Sequence, residues 1–102
     1  MRKANVFVKG IFAGILEERD DASYYFVYDT NYSGAPVSLT MPRTKKEFSF
    51  KEFPPFFDGL LPEGIQLEGL LRAKKIDRSD YFSQLVAVGK DVVGAVTIEE
   101  FL

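Results

Sequence analysis

The periodicity of the apolar residues changes at Phe53-Pro54-Pro55, and that change constrains the fold more than any other feature. Ahead of it, apolar residues recur every second position; beyond it, they recur every third or fourth. In NVFVKGIFAGILEE two β-rich runs, Asn5–Lys9 and Phe12–Glu18, flank Gly10, the punctuation of a hairpin. Val6 and Val8 alternate with Asn5, Phe7 and Lys9. The polar turn ERDDAS leads to a third strand, SYYFVYD, with Tyr24, Phe26 and Tyr28 on one face and Tyr25 and Val27 on the other. Apolar residues on both sides mark a central strand or one with a covered outer face. VSLTMP reads as a short strand with Val37, Leu39 and Met41 on a single face, and EFSFKEF continues the alternation through Phe48 and Phe50.

Beyond Phe53 the pattern is helical. Pro54-Pro55 fits the first turn of a short helix that Gly59 stops. Pro62 opens a second helix with Glu63 in its first turn, where the helix dipole favours a carboxylate. Leu67, Leu70, Leu71 and Lys74 then follow the i, i+3, i+4, i+7 stripe, and Arg72, Lys74 and Lys75 occupy the last turns. Asp77 reads as the N-cap of a third helix, with Asp80 three residues on. Its stripe is Tyr81, Leu85 and Val88, widened by Phe82 and Val86, and Gly89 ends it. Residues Ala95–Glu99 return to a strand. Strands, then helices, then a last strand predict an α+β fold: a small, mostly antiparallel sheet of five to six short strands with two to three short helices in the C-terminal half. At 102 residues, a single domain spanning 1–102 is expected.

Composition narrows the chemistry. The chain has no cysteine and no histidine, which removes the thiol nucleophile, the thiolate metal site and the commonest general base. A net charge of −2 and a pI near 5.1 argue against direct binding to nucleic acid. The basic cluster Arg43, Lys45 and Lys46 reads as a solvated loop face. No apolar run approaches the length of a membrane span and no signal-peptide core follows Met1-Arg2-Lys3, so a cytoplasmic location is expected.

Candidate catalytic motifs have simpler explanations. GKDVVG, Gly89–Gly94, lacks the first glycine of a phosphate loop, where Gln84 stands, and has Asp91 in place of the hydroxyl residue. It reads as a helix-to-strand turn. Gly10 and Gly14 lie in a hairpin, where glycine relieves a turn or bulge. Asp20-Asp21 lack the further oxygen ligands that a hard cation needs. Asp58 and Glu63 flank GLLP, yet each has a local role: Asp58 accepting from turn amides, Glu63 at a helix N-terminus. No catalytic residue, metal site or cofactor is expected, and an enzyme is not.

Phe48, Phe50, Phe53, Phe56 and Phe57 fall within ten residues of sequence. Two readings stand: all five are core, or one edge, with the Leu60–Ile65 turn, is an exposed patch awaiting a partner.

These segments together carry a resemblance. VFVKGIFAGIL, YYFVYD, PVSLTMP, FPPFFDGLLPEG and DYFSQLVAVGKDVVGAVTI occur in the order found in the N-terminal subdomain of HipA-type serine/threonine kinases, the toxins of bacterial toxin–antitoxin systems, and the chain resembles that family over essentially its whole length. The phosphate-cradling loop, the nucleotide-binding Lys and the magnesium-binding Asp of a kinase are not found, so the family's kinase activity does not carry over.

The resemblance implies a subdomain that packs against a kinase. As a free-standing chain it is similar to HipS, the antitoxin encoded beside a shortened kinase, HipT, and a DNA-binding protein, HipB. The expected partners are therefore a HipT-like serine/threonine kinase and a HipB-like protein in the same complex, with no membrane and no direct nucleic acid. The other expectation is the N-terminal structural piece of a full-length HipA-type kinase. On the first, the expected partner-binding residues are Phe57, Asp58, Leu61, Glu63, Gly64, Ile65 and Gln66, with Ile65 at the tip. Phe53, Phe56 and Leu60 are expected to anchor the segment from inside.

Overall fold

The computed structural model describes residues 2–92 and 94–101. Five strands form one antiparallel sheet, β1 (Arg2–Val8), β2 (Ile11–Glu18), β3 (Tyr24–Tyr28), β4 (Glu47–Phe50) and β5 (Val96–Glu100), in the order β4-β3-β2-β1-β5. Three helices lie between β4 and β5: α1 (Pro55–Asp58), α2 (Gly64–Lys74) and α3 (Tyr81–Val88). The α+β class and its strand-then-helix order agree with the sequence reading.

The β1–β2 hairpin turns on two residues, Lys9 (φ 52°) and Gly10 (φ 79°). Two consecutive positive φ values match the right-handed twist of the flanking strands. Opposite Val6 the register slips, and Gly14 sits there because a Cβ would lie 2.2 Å from the Val27 carbonyl oxygen. Ala4, Val6 and Val8 of β1, Leu16 of β2, Tyr24, Phe26 and Tyr28 of β3, and Val96 and Ile98 of β5 form one buried face. Phe57, Phe82 and Leu85 from the helices close it. β3 has a neighbour on both sides, as its two apolar faces indicated.

β5 returns beside β1. Its outer edge is blocked at the centre: the Ile98 N–H donates to the Gly89 carbonyl at 2.9 Å. A Cβ on Gly89 would lie 2.3 Å from the Ile98 oxygen. Gly89 therefore seals a sheet edge as well as ending α3. Of the turn it opens, Val93 lies outside the described residues.

Arg2 ties the first strand to α3. Its Nε and Nη2 donate to the two Glu18 oxygens at 2.7 and 2.9 Å, Nη2 also to Asp80 Oδ1 at 2.8 Å, and Nη1 to Ser83 Oγ at 2.8 Å. The Tyr24 hydroxyl donates to Glu18 at 3.0 Å. These hydrogen bonds from Arg2 hold the Glu18 carboxyl below the ordinary range, against the opposing effect of burial. At Asp80 burial opposes ionisation, but bonds from Arg2 and Ser83 outweigh it and the carboxyl is again lowered. Burial and the Glu18 bond push the Tyr24 hydroxyl up to about 12.

Four local expectations are corrected. Leu39 does not face the core: it is 95% exposed, at the tip of a turn closed by the Ser38–Met41 bridge. Ser38 Oγ accepts the Thr40 N–H at 3.1 Å, and this turn chemistry displaces the extended strand. The cap of α3 is Asp80, which accepts from the Ser83 N–H, and not Asp77. Tyr81 is 42% exposed, and its place in the buried face of α3 is taken by Phe82 and Gln84. The Gln84 amide donates to the Asp77 and Arg78 carbonyls, so a polar side chain is satisfied inside. Finally, α2 begins at Gly64, whose φ of +58° breaks the helical path after Glu63. Pro62 and Glu63 precede the helix, and Glu63 makes no side-chain cap.

Candidate partner-binding surface

The segment FPPFFDGLLPEGIQ is built outward from one ring. Phe57 is fully buried and packs on Phe26 (6.3 Å between centroids) and on Phe56 (5.3 Å). Pro54, also buried, accepts the Asp58 N–H at 3.0 Å, and Pro55 accepts the Gly59 N–H at 3.0 Å. Two further bonds, Leu60 N–H to Phe57 O at 3.0 Å and Leu61 N–H to Asp58 O at 3.1 Å, carry the chain from α1 into the turn. Phe53 is held edge-on to Tyr24 at 5.2 Å. Phe53, Phe56, Leu60 and Leu61 are half-buried against the core.

Beyond Leu61 the turn leaves the core. Glu63, Gly64, Ile65 and Gln66 are exposed, and Ile65 is 90% exposed on the first turn of α2. An isoleucine presented in this way costs solubility and contributes nothing to the core; Pro62 fixes φ before it, and Gly64 takes the left-handed step at φ +58°. α2 itself buries no residue completely. Leu67, Leu70 and Leu71 lie where the stripe placed them, each half-buried, and Ile65 stands off that stripe on the other side of the helix.

Of the seven expected residues, the structure places six, Asp58, Leu61, Glu63, Gly64, Ile65 and Gln66, wholly or partly at the surface of one turn. Phe57 is the correction. With no accessible surface it supports the turn from beneath and makes no outside contact. The five-phenylalanine cluster resolves likewise: Phe57 is core, and Phe48, Phe50, Phe53 and Phe56 pack against it at the margin. The sequence reading missed Leu39 and Tyr81 as exposed apolar positions. The SxT spacing of Ser38 and Thr40 and the aspartate before Tyr81 were the available signals.

Among the described residues no group of three or more acidic side chains could hold a metal ion. None of their helices is long and apolar enough to cross a membrane. Arg43, Lys45 and Lys46 form an exposed loop face, with Arg43 donating to the Tyr32 carbonyl and Lys46 to Thr30.

The frame is a small α+β domain: one antiparallel sheet, three helices, and a turn that carries Ile65 outward. The model of the HipA N-terminal domain family matches residues 4–99, and the chain belongs to that family. A solved structure described as the N-terminal domain of HipA toxin superposes with a TM-score of 0.79 at 31% identity, covering 100% of this chain and 94% of that one. An uncharacterized protein of Haemophilus influenzae is 36% identical over 98% of this chain and 93% of its own length. A Sinorhizobium fredii protein named "Putative kinase Y4mE" is 29% identical over 96% of this chain, which spans only 24% of that longer protein. The similarity is thus to the N-terminal part of HipA-type proteins.

Proposed function

We propose that this chain is a HipS-like antitoxin subunit that binds a HipT-like serine/threonine kinase and inhibits it, within a complex that also holds a HipB-like DNA-binding protein. The observation that carries this reading is Ile65, a large apolar side chain 90% exposed on a turn whose base is packed into the core through Phe57. An anchor already fixed in its bound shape loses little conformational entropy on docking. Inhibition is by occlusion: the turn from Phe56 to Gln66 seats near the nucleotide or substrate cleft, with Ile65 inserted and Glu63 facing a cation of the kinase.

Co-expression tests it. Wild-type chain rescues cells from the co-encoded kinase, and Ile65→Asp, which touches no core residue, abolishes rescue while remaining folded. Full rescue by that variant would remove the anchor.

A second reading rests on the Sinorhizobium fredii relative, in which the matching segment is about a quarter of a longer protein. On it, the chain is the N-terminal structural piece of a HipA-type kinase. An open reading frame running past Leu102 into kinase sequence favours this reading, and a separate kinase frame favours the antitoxin.

A further inference from the structure

Beside α1 a cleft of about 650 Å³ opens between β3, the residues after β4 and the start of α3. One wall is a chain of three rings. Tyr24 stands edge-on to Phe53 at 5.2 Å, and Phe53 lies tilted against Tyr81 at 5.6 Å. Tyr81 keeps 42% of its surface exposed. Lys51, Glu52 and Asp58 line the same cleft, and all three are exposed.

The ion pairs among the described residues join Arg2 to Glu18 and Asp80, Lys3 and Arg19 to Glu17, Arg78 to Glu68, and Lys90 to Glu99. Glu52 and Asp58 take part in none of them. The cleft therefore sets two carboxylates, against one lysine, beside an aromatic wall. A guanidinium group suits that combination. It is planar and weakly hydrated, stacks on aromatic faces, and offers a fork of N–H donors that a carboxylate accepts two at a time. An ammonium is more strongly hydrated and gains less from the rings, and an apolar side chain leaves the carboxylates without a partner.

We infer that this cleft receives an arginine-bearing segment of the bound kinase, the guanidinium lying over Tyr81 and donating to Asp58 or Glu52. The inference rests on the kinase-binding reading and extends it, since Asp58 belongs both to the cleft and to the turn that ends in Ile65. Lys51 opposes the incoming charge, so its reversal strengthens the contact.

The test has two arms. In the first, isotope-labelled chain is titrated with three short capped peptides, identical except for Arg, Leu or Glu at the centre. The Arg peptide gives saturable NMR shifts at Phe53, Asp58 and Tyr81, and the other two do not. Glu52→Gln with Asp58→Asn weakens that binding about twofold to fivefold, and Lys51→Glu strengthens it by a similar factor. Equal binding of the Leu peptide, preference for the Glu peptide, or shifts elsewhere overturns the inference. No kinase is present in this arm, so its failure leaves the kinase-binding reading standing. In the second arm, Asp58→Lys weakens and Lys51→Glu strengthens binding to the co-encoded kinase. If the kinase binds but is indifferent to both charges, the cleft is not where its arginine sits. If the kinase binds none of the chains, the kinase-binding reading itself is overturned, and this inference with it.

Discussion

Replacing Phe57 by alanine removes a ring with no exposed surface from between Phe26 and Phe56. A buried phenylalanine truncated in this way costs about 3–5 kcal/mol, so Phe57→Ala is expected to shift the urea midpoint strongly. Ile65, in the same segment, is 90% exposed, and a surface substitution of this kind changes stability by no more than about 0.5 kcal/mol. Urea unfolding of Phe57→Ala and Ile65→Asp side by side checks both expectations. Composition alone could not assign these two residues, because both are large, apolar and close to prolines. What separates them is the position of Gly64. Its left-handed φ turns the chain away from the core between them, and a positive φ is not written in the residue type with certainty. Leu39 shows the same limit: alternation placed it inside, and the bond that the Thr40 N–H donates to the Ser38 hydroxyl turned it out.

At the scale of elements, the sheet and α2 differ in what holds them. Each of β1, β2, β3 and β5 carries fully buried residues, while α2 has none. Its left-handed C-cap at Lys75 donates to the Leu71 carbonyl, so the helix end is closed by its own backbone. Amide exchange tracks the free energy of local opening. The amides of α2 are therefore expected to exchange well before those of β1 and β2 in native-state hydrogen exchange, and equal protection would contradict a helix held less firmly than the sheet. Strand and helix identities were legible because period two and period 3.6 are separable over short windows. The hairpin turn at Lys9-Gly10 and the short helix at Pro55 were legible through glycine and proline. The helix starts were not: Asp77 and Asp80 are both aspartates with a plausible spacing, and the choice falls on Asp80 because Arg2, far away in sequence, binds it.

For the whole molecule, that Arg2 linkage predicts a pH dependence. Glu18 and Asp80 have folded-state pKa values below their ordinary ones. The folded state then binds fewer protons than the unfolded chain in acid. The stabilisation is complete above the ordinary carboxylate pKa near 4 and is lost as pH falls below it through the lowered values. Both groups are part-exposed, so solvent limits the size of the effect. Arg2→Met should flatten the acid limb of stability against pH, measured by urea unfolding. In alkali the Tyr24 hydroxyl, raised to about 12, stays protonated where the unfolded one ionises. Stability therefore falls as pH rises from about 10 towards that value.

On the proposed function, a folded core holds Ile65 outward as the anchor for a kinase. Calorimetric titration of the co-encoded kinase with wild-type chain and with Ile65→Asp tests it most directly, circular dichroism confirming that both are folded. A central anchor contributes at least about 2 kcal/mol, so the variant is expected to bind about thirtyfold more weakly or worse. Binding of the folded variant with the affinity of the wild type would show that Ile65 is not the anchor.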